Sequence, residues 1–293
     1  MVIIRAGYLT LRADQRGGDL LDAVRADGAP AGTFNAKLEA LPRLVILVHG
    51  YNTPQHKAIA RYDHITTKLH DIGVPDHRLA SVWWLYWPGD RRWRATSTAS
   101  FPWQIERSLA AAERLGAFLD RLSPDKEVVL VAHSLGSRLV LEAAEQVAHN
   151  RRGGELTAIC LMAAAVPVAL CEGSGAYRAR RAQVEYVLHS RHDTVLSRVF
   201  RIGSWLGGDP WSEAVGRNGF PDERWGYRVR TELGHNDYYG DLSSVTAVAR
   251  LLGIATTRIG TPSVMLPEAS LVEWEEIEPL GLPERWLGMA DIS

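Results

Sequence analysis

Serine, histidine and aspartate together perform acyl transfer, and this chain carries one of each beside an apolar run. Residues 127–145 read EVVLVAHSLGSRLVLEAAE. Val128, Val129, Leu130 and Val131 form a short, apolar, largely β-branched run, which suits a buried parallel strand. Ala132-His133-Ser134-Leu135-Gly136 follows, and then Leu139, Val140, Ala143, Ala144 and Val147 recur at helical spacing. A strand, a tight turn of small residues with serine at its apex, and a helix make a nucleophile elbow. Such a turn lifts the Ser134 hydroxyl above the sheet edge, and the helix behind it points its N-terminal amides at the chemistry. Ala132 stands where elbows usually have their first glycine, a mild departure. The pentapeptide alone is weak evidence, because small residues are common; between that strand and that helix it is strong.

A serine hydroxyl needs a base to take its proton, and the base needs a carboxylate to orient it. After a serine on such an elbow the chain order is acid, then histidine. Residues 183–190 read as a strand and run into Arg191-His192-Asp193. Asp193, just past the strand end, is the acid candidate. A later strand runs into Gly234-His235-Asn236-Asp237, and His235, after a flexible glycine, is the base candidate. The rivals are weaker. Asp237 and Asp241 both come after His235, and Asp241 reads as a helix cap. His192 adjoins the acid in sequence, and His133, inside the elbow, reads as structural.

The oxyanion formed in acyl transfer needs two preorganised N–H donors. One is the amide of Leu135, the residue after the nucleophile. The other is expected from His49-Gly50-Tyr51-Asn52, which ends an apolar strand at 44–48. Gly50 permits the backbone to turn the Tyr51 amide inward. Asn52 would support that loop by hydrogen bonds. His49, Asn52, Trp87, Trp205 and Trp211 are the candidates for lining a substrate pocket. No His, Cys, Asp or Glu cluster has metal-ligand spacing, and Cys160 and Cys171 fit neither a metal site nor C-x-x-C. No metal and no cofactor are expected.

The elements that must position these residues follow from periodicity. Strands are expected at 2–11, 44–48, 79–87, 128–131, 157–164, 183–190 and around 225–229. The last alternates apolar with charged residues, as a strand near a sheet edge does. Helices are expected at 55–71, 103–122, after the elbow, and at 242–252, with 12–42 a long connection holding at most a short helix. Strands alternating with helices imply a doubly wound parallel sheet whose site lies at the C-terminal strand ends. Residues 196–226, rich in glycine and carrying Trp205 and Trp211, read as a mobile or irregular flap between acid and histidine. Arg91-Arg92-Trp93-Arg94 lies past a strand end, hence on the site's side; a solvated basic loop is favoured over an anion-recognition patch. A net charge of −1 offers no field for nucleic acid. The N-terminus is too interrupted for a signal peptide, and no apolar run is long enough to span a membrane. A cytoplasmic protein is the expectation.

Taken together, VILVHGYN, WPGD, VAHSLGSR, HDTVL and GHNDYY resemble the α/β-hydrolase superfamily over about residues 44–252. They are similar in particular to poorly characterised bacterial esterase- or lipase-like hydrolases that pair an HGYN loop with an AHS-x-G elbow. The resemblance implies an α/β-hydrolase fold over 1–261, with helices on both faces of a mostly parallel sheet. The remaining tail, 262–293, would pack on the domain or a partner subunit. It further implies Ser134, Asp193 and His235 as a triad and the Tyr51 and Leu135 amides as an oxyanion hole. Serine at the elbow argues against dehalogenase or epoxide hydrolase chemistry. The expected activity is cleavage of a small-molecule carboxylic ester or lipid through an acyl-enzyme. The alternatives are a thioesterase or amidase with the same residues, a lipid-degrading effector, and a silent interaction module. The intact Ser, Asp, His order speaks against the last. Substrate and oligomeric state do not follow from the resemblance, because one scaffold serves many substrates.

Overall fold

Four apolar runs fill the middle of one sheet, and everything else is arranged to cover them. In the computed structural model the described residues are 7–11, 22–24, 38, 40–89, 101–150, 155–222 and 226–254. The strands are β1 Gly7–Thr10, β2 Asp22–Val24, β3 Arg43–Val48, β4 Val82–Tyr86, β5 Glu127–His133, β6 Glu155–Met162, β7 Val184–Ser190 and β8 Tyr227–Thr231. They form one sheet in the order β2-β1-β4-β3-β5-β6-β7-β8. Seven strands run parallel and β2 alone pairs antiparallel, with β1. Central strands covered on both faces need no polar side, which is why β3 and β4 are buried at every position.

The helices are α1 Gln55–Asp71, α2 Asp76–Leu79, α3 Phe101–Leu119, α4 Gly136–Asn150, α5 Arg201–Leu206, α6 Val215–Asn218 and α7 Leu242–Leu251. In α1 the buried positions are Ala58, Tyr62, Ile65, Thr66 and Leu69, one stripe at helical spacing. Among the described residues no helix is long and apolar enough to cross a membrane.

The expected fold class is the one observed, with two local differences. The connection at 12–42 contains a short strand, β2, too brief for periodicity to register. The strand expected from residue 79 begins at Val82, because Asp76–Leu79 closes a helical turn first. Within 196–222 a π-helical turn at Leu196–Phe200 leads into α5, and α6 follows. A buried ion pair joins Asp209 to Arg138 of α4, and Ser204 donates to the same carboxylate. A Cβ on Gly216 would lie 2.1 Å from the Ala164 nitrogen, so only glycine lets α6 sit against the end of β6.

The tryptophans divide by location. Trp83, Trp84 and Trp87 are core, whereas Trp103, Trp205 and Trp211 are exposed. Trp225, the Arg91–Arg94 patch and the 262–293 tail lie outside the described residues.

Candidate active site

Ser134 sits at the bend between β5 and α4 with φ of 53°, in the left-handed region that disfavours side chains. Such a conformation costs about 1–3 kcal/mol and persists only where surroundings over-determine it. They do so here. The Ser134 amide donates to the Met162 carbonyl at 2.9 Å, and its own carbonyl accepts from Ala165 at 3.1 Å and Ser137 at 3.0 Å. The end of β6 thus grips the elbow from below. The β3 loop grips it from the side. A Cβ on Gly136 would stand 2.5 Å from the His49 carbonyl oxygen, and one on Gly50 would stand 2.8 Å from Ser134 Cβ. Gly50 is therefore needed for close approach; it does not have the positive φ of Asn52 or Ser134. The physical reason differs from the conformational freedom expected of it.

Asp193 follows the end of β7 and is fully buried. Its two oxygens have separate tasks. Oδ1 accepts the Leu196 amide at 2.9 Å, closing the turn that starts the π-helix. Oδ2 lies 2.7 Å from His235 Nδ1. The other ring nitrogen, His235 Nε2, is 3.0 Å from Ser134 Oγ. The structure thus brings Ser134, His235 and Asp193 into one hydrogen-bonded row, although they lie on the exits of three different strands.

His235 occupies a tight turn. The Asp237 amide donates to the Gly234 carbonyl at 3.2 Å, and Asp237 Oδ2 accepts the Gly234 amide at 2.9 Å. That use of its carboxylate leaves Asp237 closing the turn. Asp241 caps α7 through the Ser243 amide at 2.8 Å. His192 pairs with Glu232 on the surface.

His133, next to the serine, reaches over the same turn. Its Nε2 lies 2.6 Å from the His235 carbonyl, so the ring carries its proton there and donates. Its Nδ1 is buried with no hydrogen-bond partner among the described residues. Burial, reinforced by nearby His235, pushes the His133 pKa well below its ordinary value, so the ring stays neutral. Sequence reasoning set His133 aside as structural. Only its place inside the elbow hinted that it would hold the histidine turn.

The β3 loop is rigidly held. Asn52 adopts φ of 54°, its amide donates to the Gly89 carbonyl at 2.7 Å, and Thr53 Oγ1 donates to the Tyr51 carbonyl at 3.2 Å. Asn52 is exposed and Tyr51 half-buried. On the other side, among the described residues the Leu135 amide is taken up by no backbone hydrogen bond, as expected in the first turn of a helix. His49 and Trp87 pack on each other. Both are fully buried, their rings stack at 5.6 Å, and Trp87 Nε1 donates to the His49 carbonyl at 2.7 Å. Trp205 and Trp211 meet edge to face at 6.2 Å, with the Arg201 guanidinium 4.8 Å from the Trp211 ring, on the surface and outside the core.

Among the described residues no group of His, Cys, Asp or Glu could hold a metal ion. Both cysteines are buried, and burial raises the Cys160 thiol to about 12, which leaves it unreactive.

Residues 30–206 match the family described as "Alpha/beta hydrolase of unknown function (DUF900)". Solved structures give weaker likenesses. A hydrolase-superfamily structure from Xanthomonas campestris pv. campestris is 17% identical, with 72% of this chain and 97% of that one covered and a TM-score of 0.37. A Pyrobaculum calidifontis esterase is 16% identical, with 72% and 75% covered and a TM-score of 0.38. The RedJ thioesterase of prodiginine biosynthesis from Streptomyces coelicolor is 13% identical, with 73% and 91% covered and a TM-score of 0.37. No curated protein matches the sequence.

Proposed function

The chain belongs to the alpha/beta hydrolases of unknown function grouped as DUF900, and from that premise we propose that it is a serine hydrolase cleaving carboxylic esters. The observation that carries the reading is the row Ser134 Oγ, His235 Nε2 at 3.0 Å, and His235 Nδ1 to Asp193 Oδ2 at 2.7 Å, with the serine on a left-handed elbow.

In the proposed reaction His235 Nε2 accepts the Ser134 proton as Oγ attacks the ester carbonyl carbon. The carbonyl π pair moves to oxygen, and the oxyanion is met by the Leu135 and Tyr51 amides. The intermediate collapses as the alcohol leaves with the proton from Nε2, so that an acyl-Ser134 ester remains. Water, deprotonated by the same nitrogen, then releases the acid and restores the serine. Asp193 keeps the proton on Nδ1 and faces the imidazolium with Oδ2, while Oδ1 stays bonded to the Leu196 amide. Neutral His133 adds no positive charge beside that imidazolium.

The test is a chain-length series of p-nitrophenyl esters together with a fluorophosphonate probe. Ser134→Ala is expected to abolish both turnover and labelling with the fold intact, since nucleophile removal costs about 10⁴–10⁶ in kcat. Labelling of the alanine variant at the wild-type rate would overturn the assignment.

A further inference from the structure

One guanidinium on α1 touches both halves of the site. Arg61 Nη1 donates to Thr53 Oγ1 at 3.1 Å, and Thr53 Oγ1 in turn donates to the Tyr51 carbonyl at 3.2 Å. Arg61 Nη2 donates to Asn236 Oδ1 at 2.7 Å. Tyr51 carries one amide assigned to the oxyanion, and Asn236 directly follows His235. The guanidinium also lies 5.4 Å from the centre of the Tyr239 ring, which packs at 5.1 Å on His133. His133 donates to the His235 carbonyl. Every path from Arg61 therefore ends on Tyr51, on His235 or on the residue next to His235, although Arg61 touches neither Ser134 nor the His235 ring in these contacts.

The connection has no equivalent in the sheet. The β3 loop and the turn after β8 belong to strands separated by β5, β6 and β7 in the sheet order. Strand register cannot set their mutual distance to a fraction of an ångström. A planar fork with donors facing two directions can, because its geometry is rigid where an ammonium's is not. We propose that Arg61 is a positioning residue that locks the oxyanion loop and the histidine turn into one catalytic geometry. The proposal rests on the serine hydrolase reading for its kinetic consequences, and on the contacts alone for its structural ones.

Arg61 also lines an open cleft of 530 Å³ with His64, Asn236, Tyr239 and Asp241. This permits a decisive test. Arg61→Ala leaves a gap that free guanidinium can enter from solvent. The variant should lose about 10–100-fold in kcat with KM little changed, the penalty for misplaced reacting groups rather than lost binding. Millimolar guanidinium should restore much of it, whereas ammonium should not. Arg61→Lys should stay impaired, since a point charge cannot span Thr53 and Asn236. Asn236→Ala, at an exposed position, cuts one arm alone; it should lower kcat in the wild-type background and add nothing in the Arg61→Ala background.

Amide hydrogen exchange supplies a readout independent of activity. In Arg61→Ala, residues 49–54 and 233–240 should lose protection together while β5 does not. Unchanged kcat in Arg61→Ala, full recovery in Arg61→Lys, or exchange unchanged in both segments would each overturn the proposal. A wild-type protein that neither turns over esters nor labels would overturn the hydrolase reading instead, and the exchange comparison would still decide the role of Arg61.

Discussion

Replacing Gly50 by alanine adds one methyl group at the narrowest point of the site. An ideal Cβ there would stand 2.8 Å from Ser134 Cβ, 3.0 Å from His133 Nδ1 and 3.2 Å from the His133 carbonyl oxygen. Carbon atoms settle at about 3.5–4.0 Å, so the two sides must part by roughly 0.7–1.2 Å. The elbow side cannot retreat. Ser134 is bonded to Met162 and Ala165, and the His133 ring is enclosed by Tyr238 and Tyr239 at 6.2 and 5.1 Å. The loop must move, and it carries the Tyr51 amide. A displacement near 1 Å costs about 100-fold, and a lost oxyanion donor costs about 10²–10³. Gly50→Ala is therefore expected to lower kcat on p-nitrophenyl butyrate by about two orders of magnitude, with KM little changed. Overpacking should also cost about 1–3 kcal/mol, visible as a lower melting temperature in a folded protein. A variant that keeps wild-type kcat would refute both the close approach and the use of the Tyr51 amide.

Asp193→Asn keeps an oxygen for the Leu196 amide but turns an NH₂ toward His235 Nδ1, forcing the proton onto Nε2, where it cannot accept from Ser134; kcat should fall by about 10⁴ with little change in stability, and wild-type turnover would sink the acid assignment. His133→Gln keeps a donor for the His235 carbonyl and removes a titrating group. Because the folded pKa of His133 is lowered from 6.5, the unfolded chain binds more protons below that pH, so the stability it contributes is full above pH 6.5 and lost as pH falls toward the folded value. Urea denaturation down to about pH 5 should show the wild type losing up to about 1.4 kcal/mol per pH unit relative to the variant, and parallel curves would contradict this. Trp211→Ala should barely move the melting temperature, because the ring is 55% exposed. If Trp211 lines the substrate pocket as expected from the sequence, the variant should also flatten the gain of about 0.8 kcal/mol per buried CH₂ from acetyl to hexanoyl esters; an intact chain-length preference would remove Trp211 from the pocket.

The local chemistry of this protein was legible in its residues. Apolar β-branched runs read as buried strands, the apolar stripe in 103–122 reads as an amphipathic helix, and small residues around Ser134 admit a bend that larger ones would block. Chain order alone preferred Asp193 over Asp237; periodicity cannot express the contacts themselves, Asp193 Oδ2 lying 2.7 Å from His235 Nδ1 while Asp237 Oδ2 accepts the Gly234 amide. What packing decided lies in contacts between residues far apart in sequence. His49 and Trp87 read as pocket candidates because they flank strand ends, and in the structure they are buried and stacked on each other. Gly50 itself read as a flexible turn, whereas the approach of Ser134 is what excludes a side chain. The glycine-rich 196–226 segment read as a mobile or irregular flap, and its buried ion pair to Arg138 and its close backbone approach at Gly216 have no signal in periodicity. Arg61 gave no signal at all, since a polar residue on a mixed helix looks like solvent-facing charge until Asn236, 175 positions away, is brought beside it. Sequence periodicity reports which face of an element is buried; only the sheet order determines which loops then meet, and the site is made of those meetings.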